Sequence, residues 1–373
     1  MNSERDYWLA FSVFPGIGPR RFKVLLKYFN SAEEAWKAKD GIWKKIGLGP
    51  KLTGDFLRFR QEFNFDELKA TLVKQSINII TLKDDSYPAL LKQSEDAPFL
   101  LYIKGRILAQ DAKALAIVGT RKITPYGREA TEKFASSLAA HGFTVVSGLA
   151  RGVDGVAHRA TLNAGGRTIA VLGSGLNLIY PVEHIGLASD IIKSGGAVIS
   201  EFPPGMKAIP QNFPARNRII SGLSLGVLVA EGAAKSGTKI TARAALNQGR
   251  EVFAVPGPIT SPLSRAPADL IKLGAKLVVD VDDILEELPT VSKEPIQSRF
   301  VEKTLRCSLK STPGVDVKRE KRVVWEALIG GAREVDQIVR KTKLDASVVS
   351  STLTMLEVSG KVKGVGGGKY MVV

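Results

Sequence analysis

The chain has one cysteine, Cys307, and three histidines, His141, His158 and His184. A lone thiol makes neither an internal disulfide nor a thiolate metal cluster, and three scattered imidazoles leave little scope for a zinc site. Aromatic residues are few, at 7%. No apolar run approaches the roughly 20 residues that span a bilayer. The opening residues mix Glu4, Arg5 and Asp6 where a signal peptide would be basic and then apolar, so a soluble, cytoplasmic protein is expected. A catalytic set is missing too: there is no serine with a histidine and acid in order, no paired carboxylates in one loop and no metal-ligand spacing.

Acidic residues are also short against basic ones, 37 to 53, giving a formal net charge of +16. The excess falls mostly on residues 1–75 and 290–373, and the middle of the chain is nearly balanced. A basic balance favours nucleic acid or another anionic surface as partner and says nothing of fold. At 373 residues there is room for two or three domains.

Five short apolar runs in that middle region each stop in a polar, glycine-rich loop. They begin at Leu115, Phe143, Arg167, Gly195 and Leu225. Runs rich in Val and Ile, separated by helical stretches such as Tyr126–Ala140, Val153–Ala164 and Lys239–Gln248, predict a parallel βαβ sheet. Strands at Ile77–Thr81 and Leu100–Lys104 lead into it, and two more fit Glu251–Val255 and Ala275–Val279. Ligands of such sheets lie in the crevice at the carboxyl ends of the strands.

The loops at those ends suit an anion. Gly119-Thr120-Arg121 offers close backbone approach, a hydroxyl and a guanidinium fork. Gly148, Arg151 and Gly152 follow the next strand, where Arg151 and Asp154 are placed to pair across the turn and orient the loop. His158 reads as a packed histidine. Gly173-Ser174-Gly175 lacks the third glycine of a dinucleotide fingerprint, and Gly232–Lys239 lacks the Gly-Lys-Ser/Thr ending of a P-loop, so no cofactor is expected. Lys235, Ser236, Gly237 and Thr238 still form an anion nest where a helix starts. Arg216, Asn217 and Arg218 open another helix. The two arginines cannot share one face, so one is expected to hold Glu201 or Glu231 while the other reaches ligand. Phe202 and Phe213 are the aromatic candidates for stacking.

The flanks differ. Gly16, Gly18 and the basic Arg20 and Arg21 recur about thirty residues on as Gly47, Gly49 and Lys51, a repeat similar to a helix-hairpin-helix motif. There the glycines either let helix N-terminal amides approach a phosphate or merely permit a tight turn. Residues 289–318 lack periodicity and read as a mobile linker. Helices at Val323–Leu328, Val335–Arg340 and Val348–Leu356, the third capped by Asp345, precede a β-hairpin and predict a winged helix. The exposed Ser347, Ser350, Ser351 and Thr354 of its third helix make no bidentate base contacts, so sequence-specific reading is not expected.

Together, Val118–Gly127, Ser147–His158, Ala170–Leu176, Phe213–Ile220 and Val255–Gly257 closely resemble the DNA-processing protein A family (DprA, also Smf). The resemblance implies an α/β chain of four parts: a helix-hairpin-helix domain (1–75), an extended Rossmann-like parallel-sheet core (76–288), the linker (289–318) and a winged-helix domain (319–373). It implies a dimer that binds single-stranded DNA and loads the recombinase RecA during uptake of transforming DNA, with no catalysis. The same strand-end loops are then the DNA-backbone positions, and the N-terminal repeat a secondary contact. Departures stand in the third loop, where Val182 follows Tyr180-Pro181 and His184 replaces an asparagine, and at Ala268. A nucleotide-processing enzyme using Asp154, Glu201 and Glu231 is the alternative from another class. A DNA-bridging protein that acts only through its flanks is a third.

Overall fold

The computed structural model describes residues 2–45, 48–288, 317–328, 333–358, 362–364 and 369–372. They fall into two compact units, divided near residue 291.

The first unit opens with six helices, α1 (Glu4–Val13), α2 (Pro19–Phe29), α3 (Ala32–Lys37), α4 (Asp40–Lys45), α5 (Pro50–Glu62) and α6 (Phe65–Lys74). Ser3 and Asp6 close a capping box on α1, satisfying amides that the first turn leaves unpaired. The few aromatics of the chain concentrate here. Phe11 stacks on Phe56 at 5.4 Å, Trp43 packs on the same ring at 4.4 Å, and Phe22 stacks at 4.0 Å on Phe99, which immediately precedes a strand of the neighbouring sheet. One buried cluster runs from these rings to Tyr102, Leu172 and Leu176, so the helices share a core with one side of the sheet.

That sheet has nine strands: β1 (Asn78–Thr81), β2 (Leu100–Gly105), β3 (Ala114–Val118), β4 (Thr144–Ser147), β5 (Thr168–Val171), β6 (Ala197–Ser200), β7 (Gly226–Val229), β8 (Glu251–Ala254) and β9 (Lys276–Leu277), in the order β1-β2-β6-β5-β4-β3-β7-β8-β9. From β3 to β9 all pairings are parallel, and β1 and β2 add an antiparallel edge. Alternate residues of β3 serve opposite faces. Ala116 and Val118 join one apolar layer, and Leu115 and Ile117 the other. Both layers are buried, which is why the strands read as unbroken apolar runs. The last strand is shorter than its sequence suggests, because only Lys276 and Leu277 pair and both are exposed at the edge.

Helices α7 (Ala89–Lys92), α8 (Pro125–Ala140), α9 (Val153–Asn163), α10 (Ile185–Lys193), α11 (Asn212–Gly222), α12 (Thr238–Asn247), α13 (Arg265–Lys272) and α14 (Asp282–Glu287) complete the unit. The chain steps outward from β3 to β6, then returns through α11 to place β7 on the other side of β3. Connections therefore leave β3 and β7 in opposite directions, and a crevice opens between their carboxyl ends.

The second unit packs helices 317–328, 335–342 and 346–358 around Val324, Ile338, Val349 and Leu353, with strands 333–334, 369–372 and 362–364 paired antiparallel. This is a winged-helix arrangement. The first helix starts at Val317, inside the expected linker, whose residues 289–316 lie outside the described residues. Ser350 is exposed and Ser351 half-buried, while the Ser347 and Thr354 side chains lie outside the described set. Among the described residues, no helix is long and apolar enough to cross a membrane.

Candidate nucleic-acid interface

The loop after β3 is strung on one residue of β7's end. The Thr120 amide donates to the Glu231 carbonyl at 2.8 Å, and Thr124 donates its amide (3.1 Å) and hydroxyl (2.5 Å) to the Glu231 carboxylate. Thr124 in turn accepts from the Gly127 amide and caps α8. Gly119 is glycine because Val153 fills the place of a Cβ, 2.3 Å from it. This tethering leaves Arg121 exposed at the tip, its guanidinium 5.0 Å from the centre of the Phe213 ring.

The loop after β4 is equally fixed. Ser147 donates to the Ile117 carbonyl at 2.6 Å, and Gly152, at φ +72°, lets the Val153 amide reach the Thr120 carbonyl at 3.1 Å. Asp154 is buried and accepts from the Gly148 (3.1 Å) and Ala150 (3.4 Å) amides. Its burial raises the carboxyl's pKa against the opposing charge of Arg216. The expected Arg151–Asp154 pairing does not form. Asp154 turns inward to the loop amides, and Arg151 reaches out to Glu183, whose pKa that contact lowers.

The two arginines of α11 part company as their helical spacing requires. Arg218 binds Glu201 and Asp96. Arg216, 4% exposed, donates to the Val171 carbonyl at 2.7 Å, while its Nε has no partner. Burial lowers its pKa to about 10, although the nearby Asp154 supports the charge. Glu231 is taken up by Thr124, so neither glutamate stands free as an acid or base. His158 is packed, one ring nitrogen 2.7 Å from the Thr168 hydroxyl.

These elements enclose a crevice of about 300 Å³ that brings together Gly119, Thr120, Arg121, Arg216, Asn217, Ser236, Gly237 and Thr238. Gly148 and Arg151 border a shallow pocket that adjoins it at Arg121 and Arg216. Gly152 lies beneath the loop, its Cβ place 2.2 Å from the Thr120 carbonyl oxygen. Lys235 is exposed on the adjacent turn. Arg218 faces its acids. Gly173 and Gly175 are buried against Phe213 and the Pro203 carbonyl. Phe202 lines a separate groove against the Pro15–Pro19 loop.

Gly18 and Gly49 immediately precede α2 and α5, each followed by a proline in the first turn. Arg20, Arg21 and Lys51 are exposed, and Arg21 donates to the Gly16 carbonyl at 2.5 Å. Gly47 lies outside the described residues. Tyr180, in the pocket that adjoins the crevice, is a residue that sequence reading missed. It follows Leu178 and Ile179 and so resembles core, yet it is 45% exposed and borders the shallow pocket. The tyrosine-proline pair at the end of a strand loop was the available signal.

Comparison with known proteins agrees with this architecture. The family model for DNA recombination-mediator protein A matches residues 78–289, and the DprA winged helix domain model matches 310–368. Protein Smf of Synechocystis is 34% identical over 394 aligned positions, with 99% of each chain covered. Protein Smf of Escherichia coli is 44% identical over 258, covering 68% of this chain and 69% of that one. The crystal structure of DNA processing protein A from Streptococcus pneumoniae superposes with a TM-score of 0.67 at 35% identity, covering 76% of this chain and 98% of that one. The Helicobacter pylori protein, described for its single-stranded DNA binding mode, gives 0.51 at 28%, covering 57% and 98%.

Proposed function

This chain belongs to the DNA recombination-mediator protein A family, and from there we propose that the crevice between β3 and β7 holds the backbone of single-stranded DNA without catalysing a reaction. One observation carries the reading: an exposed arginine at the rim, a buried arginine with an unpartnered Nε beneath it, and the hydroxyl-rich start of α12 face one space. A phosphate there accepts from Arg121 and Arg216, with Thr120, Ser236 and Thr238 as further donors. Such contacts supply affinity with little sequence preference. Asp154, Glu201 and Glu231 are all engaged by loop amides, Arg218 or Thr124, which supports a binding role over acid–base chemistry. RecA as the protein partner, a homodimer and a cytoplasmic place belong to the same reading.

The test is fluorescence anisotropy of labelled single- and double-stranded oligonucleotides across a salt series, with free nucleotides as competitors. If about four to six phosphates are neutralised, log affinity falls against log salt with a slope near −3 to −4. Arg121→Ala is expected to cost about 1–3 kcal/mol of binding. A flat salt response, or displacement by micromolar nucleotide, gives the crevice to a small ligand.

A further inference from the structure

Two aromatic rings, Phe213 and Tyr180, line the pocket that adjoins the crevice, and only Tyr180 is exposed. Phe213 is half-buried, with Gly173 packed against it, where a Cβ would lie 3.2 Å from the ring, and with the Arg121 guanidinium over it at 5.0 Å. It positions that guanidinium. Tyr180 lies 5.9 Å away, tilted 45°, and is 45% exposed. The loop that carries it is held firmly. Ser174 donates to the Leu178 carbonyl at 2.7 Å, the Gly175 amide to the Met206 carbonyl at 2.9 Å, and the Gly205 amide to the Asn177 side chain at 2.8 Å. Leu178 and Val182, either side of Tyr180 in sequence, are exposed as well. The shallow pocket below the ring is bordered by Arg121, Arg151 and Arg216.

Guanidinium groups beside a fixed, open aromatic face are the chemistry of one nucleotide: phosphate on the arginines, base on the ring. We propose that Tyr180 is the stacking platform for an unpaired base beside this crevice, and that it makes the site prefer single- over double-stranded DNA. The proposal rests on the crevice being the DNA site. In a duplex the bases are already stacked and paired, so Tyr180 gains a partner only after their disruption. Every base has a π-face, so the preference is for unpaired structure, not for sequence.

The experiment compares the full chain with Tyr180→Leu, Tyr180→Trp and Arg121→Ala by anisotropy. The probes are dT, dA and abasic oligonucleotides of equal length. Tyr180→Leu is expected to lose roughly 5- to 100-fold on dT and dA, to match the parent on the abasic strand, and to keep the parent's salt slope. Tyr180→Trp keeps or tightens binding to the base-bearing strands, which shows that the loop still folds. Parent-like binding of dA by Tyr180→Leu, with Arg121→Ala weakened on all three strands, overturns the platform and leaves the crevice. Equal losses by Tyr180→Leu on abasic and base-bearing strands also overturn it. No loss in either Tyr180→Leu or Arg121→Ala overturns the crevice itself.

Discussion

In the N-terminal helices, Gly18 and Gly49 each precede a helix and have open space where a Cβ would stand. At the strand ends of the sheet, Gly119, Gly148 and Gly152 have that space filled by Val153, by Arg216 and by the Thr120 carbonyl. Glycine thus serves two ends in one chain. In the sheet it lets protein approach protein, so that the Arg121 loop packs on the start of α9 and Arg216, on α11, packs on the loop after β4. In the helical repeat it leaves room that an outside backbone can enter.

The largest effect that sharpens this contrast is at Gly152. Alanine there takes on a positive φ that costs about 1–2 kcal/mol, and its Cβ meets a backbone oxygen that supports the Arg121 loop. Gly152→Ala is expected to lose about 2–4 kcal/mol in urea unfolding, together with DNA binding. A variant as stable as the parent would show that the loop yields, and would erase the contrast.

Packing at the same side of the sheet sets a second, pH-dependent effect. His158 is buried, its Nε2 has no partner, and desolvation lowers its pKa to about 3. The unfolded chain protonates this ring below about pH 6.5 and the folded one does not. Stability is therefore full above that pH and falls as pH drops toward 3, by up to about 1.4 kcal/mol per unit. Denaturant midpoints between pH 6.5 and 4.5 should lose this component in His158→Gln, and an unchanged pH slope would mean that the ring is hydrated.

The smallest effect belongs to the open glycines. Gly18→Ala should change stability by less than about 1 kcal/mol, since φ is −85° and nothing occupies the space. If a phosphate approaches there, affinity for single-stranded DNA falls roughly two- to fivefold, as expected for one contact at a helix terminus. Unchanged affinity would make Gly18 a turn residue only.

The sheet was legible because seven of its strands either lie between two apolar layers or end in polar glycine loops, and both leave plain patterns. β9 was overextended, since an exposed edge pair carries no such constraint. Much of the crevice could also be read, because strand-end loops converge wherever strand order reverses. Pairing partners could not. Arg151 and Asp154 stand three apart on the chain, yet the buried amides of Gly148 and Ala150 compete for the carboxylate and hold it. The separate fates of Arg216 and Arg218 followed from helical spacing, but which one faced the crevice depended on Glu201 and Asp96 arriving from other elements. Tyr180 was hidden because exposure of an aromatic after two apolar residues is decided by the loop's tertiary bonds.

The ladder that joins β3 to β7 sets Leu115 against Gly226, residues separated by three βα units and the α11 crossover. Closing so long a loop is slow and entropically costly, and local contacts do little to hasten it. A nascent chain that has paired β3 to β6 owns Arg121 and Gly148 but has no wall opposite them. The DNA site proposed for the crevice is therefore completed late and all at once, as a property of the finished molecule.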